Sequence, residues 1–127
     1  MTYDAVGPAP LDYLPCRYGT SKLMFRGPRR RLEVFVLCLS DGGFRGKGKV
    51  RSKELVRSCR ALGVAQDHVL LADHAGLRDG PGRWNKETVA EVVGEHVARL
   101  GVSRLVTFDE HGVSGHVNHR DVHRGVA

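Results

Sequence analysis

The pattern of apolar and polar positions predicts strands that alternate with helices over most of the chain. Residues 32–39 are apolar at nearly every position, which is typical of a strand buried on both faces. Shorter apolar runs at 68–72 and 104–108 predict two further strands. Apolar residues at helical spacing predict one helix that ends at Gly63 and another over 85–101. This β-α-β-α-β order with short connections predicts an α/β fold with a parallel sheet.

The first 28 residues follow no such pattern. They contain four of the five prolines, and residues 1–28 are expected to form an irregular or disordered leader before a folded domain over 29–127. A chain of 127 residues is long enough for one domain that buries about two thirds of its unfolded surface. No apolar run approaches the roughly 18 residues that span a bilayer. The three cysteines are far apart and form no Cys-x-x-Cys pair, which favours reduced thiols over a disulfide framework.

The net positive charge of the chain adds little to the prediction of its function. The chain carries a formal charge of +6, and residues 1–60 hold 13 Lys and Arg against 5 Asp and Glu. A basic segment of this kind can bind a polyanion. However, no aromatic residues alternate with the charges as platforms for base stacking, so a solvated basic face is the simpler interpretation. No nucleic-acid partner is expected.

Polar residues follow each of the three predicted strands. Ser40 and Asp41 come after the first strand, Asp73 and His74 after the second, and residues 109–110 after the third. The carboxyl ends of parallel strands meet at one edge of a sheet, which is where open α/β sheets bind ligands. The sequence therefore predicts a functional site at this edge.

The glycine-rich loop between the first strand and the first helix partly matches a phosphate-binding loop. Residues 43–49 have the spacing Gly-x-x-x-x-Gly-Lys, but Val50 stands where a Ser or Thr hydroxyl would hold Mg²⁺. A flexible basic loop is the simpler interpretation, with a nucleotide site as the alternative.

Histidines cluster near the end of the sequence. His116, His119 and His123 are spaced three and four residues apart, so a helix starting near Gly115 would place all three on one face. Imidazole nitrogens at this spacing suit Zn²⁺, which would need further ligands from elsewhere, preferably carboxylates. The simpler alternative is a polar helix start with solvent-exposed histidines, and the spacing alone leaves both open.

Several segments closely resemble one enzyme family. They are residues 37–43 (LCLSDGG), 51–55 (RSKEL), 59–64 (CRALGV), 106–109 (VTFD) and 112–119 (GVSGHVNH). Together they resemble the N-acetylglucosaminyl-phosphatidylinositol de-N-acetylases of GPI-anchor biosynthesis, a branch of the LmbE-like zinc deacetylases. The resemblance covers residues 31–127, and its last segment is long and specific.

The resemblance implies a Rossmann-like fold and zinc-dependent hydrolysis of the N-acetyl group of N-acetylglucosaminyl-phosphatidylinositol. By position in the family motifs, His119 is the expected zinc ligand and His116 the expected catalytic residue that polarises the acetyl carbonyl. Arg51 and Asp73 are the expected contacts to the sugar hydroxyls, and Glu54 is an expected structural partner. Zinc in such a site activates water and acts as a Lewis acid.

The chain also departs from the family. An early His-Pro-Asp-Asp-Glu signature supplies two zinc ligands and the general base in the family, and it does not occur in these 127 residues. The family's first strand and helix are also expected to be missing. That strand would lie between 32–39 and 104–108, and residues 22–26 look too short and too charged to fill the gap. We therefore expect a partial deacetylase domain, truncated at both ends, with an incomplete zinc site and no activity by itself.

The resemblance further implies association with the cytoplasmic face of the endoplasmic reticulum membrane. Because no membrane-spanning segment is visible, the chain alone is expected to be soluble. The alternative function is a non-catalytic binding module, in which the basic front half holds an anionic partner such as a phosphoinositide headgroup or RNA.

Overall fold

The computed structural model of the chain describes residues 33–127 together with the backbone of residues 2–4 and 21–26. The strands are β1 (Thr2–Asp4), β2 (Ser21–Arg26), β3 (Glu33–Cys38), β4 (Val69–Leu71) and β5 (Arg104–Val106). The helices are α1 (Gly48–Ala61), α2 (Lys86–Leu100), α3 (Gly112–Gly115) and α4 (Val117–Val126). Short 3₁₀ turns at Gly43–Arg45 and Gln66–His68 precede α1 and β4.

The strands form one mixed sheet in the order β1-β5-β2-β3-β4. β3 and β4 are parallel neighbours, whereas β2 is antiparallel to both β3 and β5. Consequently β3, β4 and β5 run in the same direction, and their carboxyl ends lie at the same edge of the sheet. An α/β fold is confirmed, but the prediction of a wholly parallel sheet is wrong, because β1 and β2 run antiparallel to β5.

The strand β2 occupies the place in the sheet that was expected to be empty. The prediction that residues 22–26 cannot fill the gap is wrong, since β2 pairs with β3 on one side and with β5 on the other. Its two charges, Lys22 and Arg26, stand near the ends of a strand whose three central residues are apolar. Residues 27–32 alone connect β2 to β3, and so short a connection permits an antiparallel hairpin, whereas a parallel pair needs a crossover of about a dozen residues or more.

The two N-terminal strands also bear on the predicted leader, residues 1–28. The expectation of irregular structure is wrong at residues 2–4 and 21–26, which are strands. The remainder of the leader lies outside the described residues.

The strand β3 is buried on both faces, as its continuous apolar run predicts. Phe35 and Leu37 belong to a core cluster that includes residues of α2 and α4, whereas Val36 and Cys38 belong to a second cluster with α1. Because successive side chains of a strand point to opposite faces, the sheet lies between α2 and α4 on one side and α1 on the other.

Both long helices begin or end close to the capping residues that the sequence shows. The side chain of Asn85 accepts a hydrogen bond from the backbone N–H of Thr88 at 3.0 Å, which caps the start of α2. Gly101 ends α2 with a left-handed φ of 61°. α1 ends at Ala61, and Gly63 takes a φ of 83° just beyond it.

Asp121 anchors α4 to the loop that precedes α2. Its side chain is only 1% exposed, and its carboxylate accepts hydrogen bonds from the backbone N–H of Trp84 at 2.8 Å and from Arg83 Nε at 3.0 Å. Arg124, one turn further along α4, donates to the same carboxylate at 3.0 Å. A buried carboxylate with this many donors is satisfied without water.

We expect Asp121→Ala to lower the free energy of unfolding by about 2 kcal/mol, because the buried N–H of Trp84 then lacks an acceptor. The matched variant Arg83→Ala removes a largely exposed side chain and leaves Asp121 with its other two partners, so its cost should be about 1 kcal/mol or less. Urea unfolding followed by tryptophan fluorescence measures both. Equal losses in the two variants would contradict an anchoring role for the carboxylate.

Candidate active site

His116 caps the N-terminus of α4. Its backbone is extended (φ −60°, ψ 130°), and its Nδ1 accepts a hydrogen bond from the backbone N–H of Asn118 at 3.2 Å. A neutral imidazole that accepts at Nδ1 carries its proton on Nε2. Because the side chain is exposed, the capping bond leaves an N–H donor facing outward from the helix end.

His119 lies in the first turn of α4, with its ring centroid 4.9 Å from that of His116. Its Nδ1 is 3.1 Å from the carbonyl oxygen of Gly112, and its ring stacks on Phe108 at a centroid distance of 4.1 Å. A carbonyl can only accept, so Nδ1 of His119 carries the proton and Nε2 keeps its lone pair. The two neighbouring imidazoles therefore offer opposite chemistry, a donor from His116 and a lone pair from His119.

Burial lowers the pKa of His119 below its ordinary value of 6.5. The hydrogen bond to Gly112 raises it, the electrostatic influence of the nearby His116 ring lowers it further, and the negative charge of Asp79 raises it. The lowering prevails, so the ring is neutral at pH 7. Neutral imidazole with a free lone pair is the form that binds metal ions.

One carboxylate holds the loop that precedes α4. Asp109 accepts hydrogen bonds from the backbone N–H groups of His111 at 3.0 Å and Val113 at 3.1 Å, and the bond from Val113 is the main cause of a lowered pKa at Asp109. Val113 has a φ of 65°, which is strained for a β-branched residue. Gly112 is required where the loop meets α4, because a Cβ there would lie 2.8 Å from Cβ of His119.

Arg51 and Asp79 form a second charged group beside the histidines. Nη1 of Arg51 donates to the carbonyl oxygen of Gly42 at 2.8 Å and lies 3.8 Å from Oδ2 of Asp79. The same carboxylate oxygen accepts a hydrogen bond from the backbone N–H of Phe44 at 3.3 Å. The loop that carries Asp79 therefore contacts the arginine on α1 and, through the hydrogen bond from Gly80 to Asn118, the start of α4.

Asn118 fixes the loop that carries Asp79. It is fully buried, its Oδ1 accepts from the backbone N–H of Gly80 at 3.3 Å, and its Nδ2 donates to the carbonyl oxygen of Gly82 at 2.9 Å. Sequence reasoning missed both Asn118 and Asp79. An aspartate in a turn-rich loop gives no signal of function in the sequence. A polar residue in the first turn of a predicted helix, such as Asn118, is a usable signal of a cap or a loop anchor.

Asp73 lines a hollow of about 170 Å³ at the carboxyl ends of β3 and β4. Its polar neighbours in the lining include Asp41, Lys49 and Ser52. The structure thus groups Arg51, His116 and His119 through Asp79 and places Asp73 in the hollow, where its contact with a sugar hydroxyl stays a prediction. Glu54 is exposed on α1.

The glycine-rich loop does not present an open cradle for phosphate. The carboxylate of Asp41 accepts from the backbone N–H of Gly43 at 2.8 Å and leaves no room for a Cβ at Gly48, the first residue of α1. A carboxylate in this position repels phosphate, so the geometry disfavours the nucleotide site that residues 43–49 left as an alternative.

The zinc expected from the resemblance can be tested against these side chains. Among the described ranges 2–4, 21–26 and 33–127, no group of three or more His, Cys, Asp or Glu residues is arranged to hold a metal ion. His119 fits one ligand position, because metal-bound histidines commonly donate their second ring N–H to a carbonyl or carboxylate. The described residues do not complete the usual set of three protein ligands.

The fold and the paired histidines agree with a family of de-N-acetylases. The family described as "PIG-L: GlcNAc-PI de-N-acetylase" matches residues 17–127, and the chain belongs to this family. The match begins before residue 31, where the motif resemblance starts, and so includes β2. No solved structure matches the chain.

Three individual proteins of known name are similar in sequence to this chain. The N-acetylglucosaminyl-phosphatidylinositol de-N-acetylase of Bos taurus is 41% identical over 92 residues, which are 72% of this chain and 36% of that protein. The Dictyostelium discoideum protein given as a probable enzyme of the same name is 34% identical over 95 residues, 74% of this chain and 37% of that protein. The 1D-myo-inositol 2-acetamido-2-deoxy-alpha-D-glucopyranoside deacetylase of Thermomonospora curvata is 32% identical over 90 residues, 61% of this chain and 30% of that protein. The chain spans about a third of the length of these relatives.

We expect His119 to make the stability of the fold depend on pH. Because its folded-state pKa lies below its unfolded value, protons bind preferentially to the unfolded chain. The stabilising contribution is complete above the unfolded value of about 6.5 and is lost as the pH falls through the folded value. In the variant His119→Gln, the urea midpoint of unfolding should therefore decrease less steeply as the pH falls from about 7 to about 5.

The matched variant is His111→Gln, which replaces an exposed histidine and checks for the general effect of exchanging an imidazole for an amide. A slope in His119→Gln that equals that of the unchanged chain would show that folding does not lower the pKa of His119.

Proposed function

We propose that this chain forms the part of a zinc-dependent N-acetylglucosaminyl-phosphatidylinositol de-N-acetylase that binds the sugar and polarises the acetamido carbonyl, on a Rossmann-like fold. The observation that carries the proposal is the His116–His119 pair at the start of α4, with the loop of the Arg51–Asp79 pair joined to it by the hydrogen bond from Gly80 to Asn118. Family membership supplies the reaction class.

The names of two relatives indicate which part of the substrate the site is proposed to bind. The bovine relative is named for N-acetylglucosaminyl-phosphatidylinositol, and the Thermomonospora relative for an acetylated glucosamine joined to inositol without a lipid. The shared group is N-acetylglucosamine linked to inositol. Arg51 offers N–H donors and Asp79 carboxylate oxygens, which together suit the hydroxyls of such a sugar.

His116 is the residue proposed to act on the acetyl group. Its Nε2–H, held outward by the capping bond at Nδ1, donates to the carbonyl oxygen and binds more strongly as negative charge develops there. His119 would hold zinc through Nε2, and zinc when bound supplies an activated water and Lewis-acid polarisation. The carbonyl of Gly112 keeps the ring of His119 in the required tautomer.

Turnover is proposed to need residues beyond these. The 127 residues contain no His-Pro-Asp-Asp-Glu signature, and a catalytic zinc normally has three protein ligands and one open position. With His119 as one ligand, the chain alone is proposed to bind the sugar without releasing acetate.

The cytoplasmic face of the endoplasmic reticulum membrane and a role in GPI-anchor biosynthesis belong to the same proposal, and they rest on family resemblance. Within the described ranges, no helix is both long and apolar enough to cross a bilayer.

We expect the chain to bind lipid-free N-acetylglucosaminyl-inositol, and Arg51→Ala to weaken that binding roughly tenfold or more, because a charged hydrogen-bond donor is lost. Arg57→Ala is the matched control, since it removes an exposed arginine from the same helix and should leave the affinity unchanged. Chemical-shift titration of the full chain measures the affinities. Absence of binding, or equal losses in the two variants, would overturn the substrate assignment.

We expect no acetate release from the acetylated sugar lipid by the chain, with or without added zinc, and less than one zinc bound per chain at equilibrium dialysis. The physical reason is the incomplete ligand set. Acetate release that a chelator abolishes would contradict this part of the proposal and leave the substrate assignment standing.

A further inference from the structure

The segment from Phe44 to Val50, here called the docking segment, exposes apolar and cationic side chains together. Phe44 is 61% exposed and Val50 is 57% exposed, although both are large hydrophobic residues. Between them stand Arg45, Lys47 and Lys49, and all three are exposed. Large apolar side chains at the surface of a small domain often mark a contact with another surface.

The charge of this region is of one sign. Residues 44–53 contain five Lys and Arg and no Asp or Glu. Within the described ranges, no ion pair involves Arg45, Lys47 or Lys49. The cations of the docking segment are consequently available to an anionic surface.

The docking segment is fixed to the candidate site. The backbone N–H of Phe44 donates a hydrogen bond to the carboxylate of Asp79. Arg51 is the residue that follows the docking segment, and its Nη1 lies 3.8 Å from the same carboxylate. A third exposed hydrophobic residue, Val113, is 79% exposed in the loop three residues before His116. Its strained φ of 65° is maintained by the hydrogen bond to Asp109, so its exposure is built into the loop.

This combination favours a lipid surface over the other anionic partners. Apolar side chains interleaved with cations are typical of elements that bury the former at the headgroup boundary and hold anionic lipids with the latter. RNA binding would require several aromatic platforms for bases, and Phe44 is the one aromatic residue of the docking segment.

We propose that the docking segment, with Val113, binds the surface of an anionic lipid bilayer and so sets the Arg51–His116 site at the level of the headgroups. This inference deepens the proposed function and rests on its membrane location, because it names the segment that contacts the lipid. In this proposal, the positive charges of residues 44–53 bind anionic lipid headgroups.

Tryptophan substitutions in the full chain test the depth of contact. Phe44→Trp places a reporter in the docking segment, whereas Leu62→Trp places one at a position 45% exposed just beyond the far end of α1. The native Trp84 is buried and contributes a constant background. With vesicles of phosphatidylcholine and phosphatidylserine that carry brominated acyl chains, Phe44→Trp fluorescence should be blue-shifted and quenched, and Leu62→Trp fluorescence should not change.

Charge variants test the attraction to anionic lipid. Removing Lys47 and Lys49 together by substitution with Ala should weaken binding to the mixed vesicles roughly thirtyfold at low salt. The control removes Arg57 and Arg60 near the end of α1 and should have a clearly smaller effect. The unchanged chain should bind vesicles of phosphatidylcholine alone much more weakly, and circular dichroism verifies that each variant is folded.

Three results would overturn the proposal. They are absence of quenching in Phe44→Trp, equal quenching in the two tryptophan variants, and binding to single-stranded RNA without binding to the mixed vesicles. Because these vesicles contain no acetylated sugar lipid, the outcome does not depend on recognition of lipid-free N-acetylglucosaminyl-inositol. Failure of one proposal is therefore distinguishable from failure of the other.

Discussion

The position of the candidate active site depends on two buried polar side chains of α4. Asn118 and Asp121 lie about one turn apart, and both find hydrogen-bond partners in the loop before α2. A buried amide or carboxylate without partners costs roughly 2–7 kcal/mol or more, so helix and loop are held in one register. In this register, Asp79 of the loop acts on His119 of the helix and contacts Arg51 of α1.

The same helix start gives the two histidines different roles. The ring of His116 accepts from a backbone amide, and the ring of His119 donates to a backbone carbonyl. An amide N–H can only donate and a carbonyl can only accept, so each backbone group selects one tautomer. The helix end thus holds an N–H donor and an unshared electron pair side by side.

Local signals predicted much of this structure, and contacts between distant residues account for what they missed. The spacing of His116 and His119 is local, as are the caps of α2 and the apolar run of β3. Asn118, by contrast, reaches partners 36 and 38 residues away, and no periodicity records such a contact. The placement of β2 was also missed, although the shortness of its connection, residues 27–32, was a usable sign of a hairpin.

The central place of β2 also sets an order of assembly for the sheet. Among the described strands, β5 pairs with β1 and β2 and forms no ladder with β3, so it can join the larger half of the sheet only through β2. The β2–β3 hairpin closes a short loop, whereas the β2–β5 ladder closes a loop of more than half the chain, and closure entropy rises with loop length. The hairpin is therefore the template on which the strand leading to the histidines docks. We therefore expect the reactive end of the molecule to form only after the hairpin has formed.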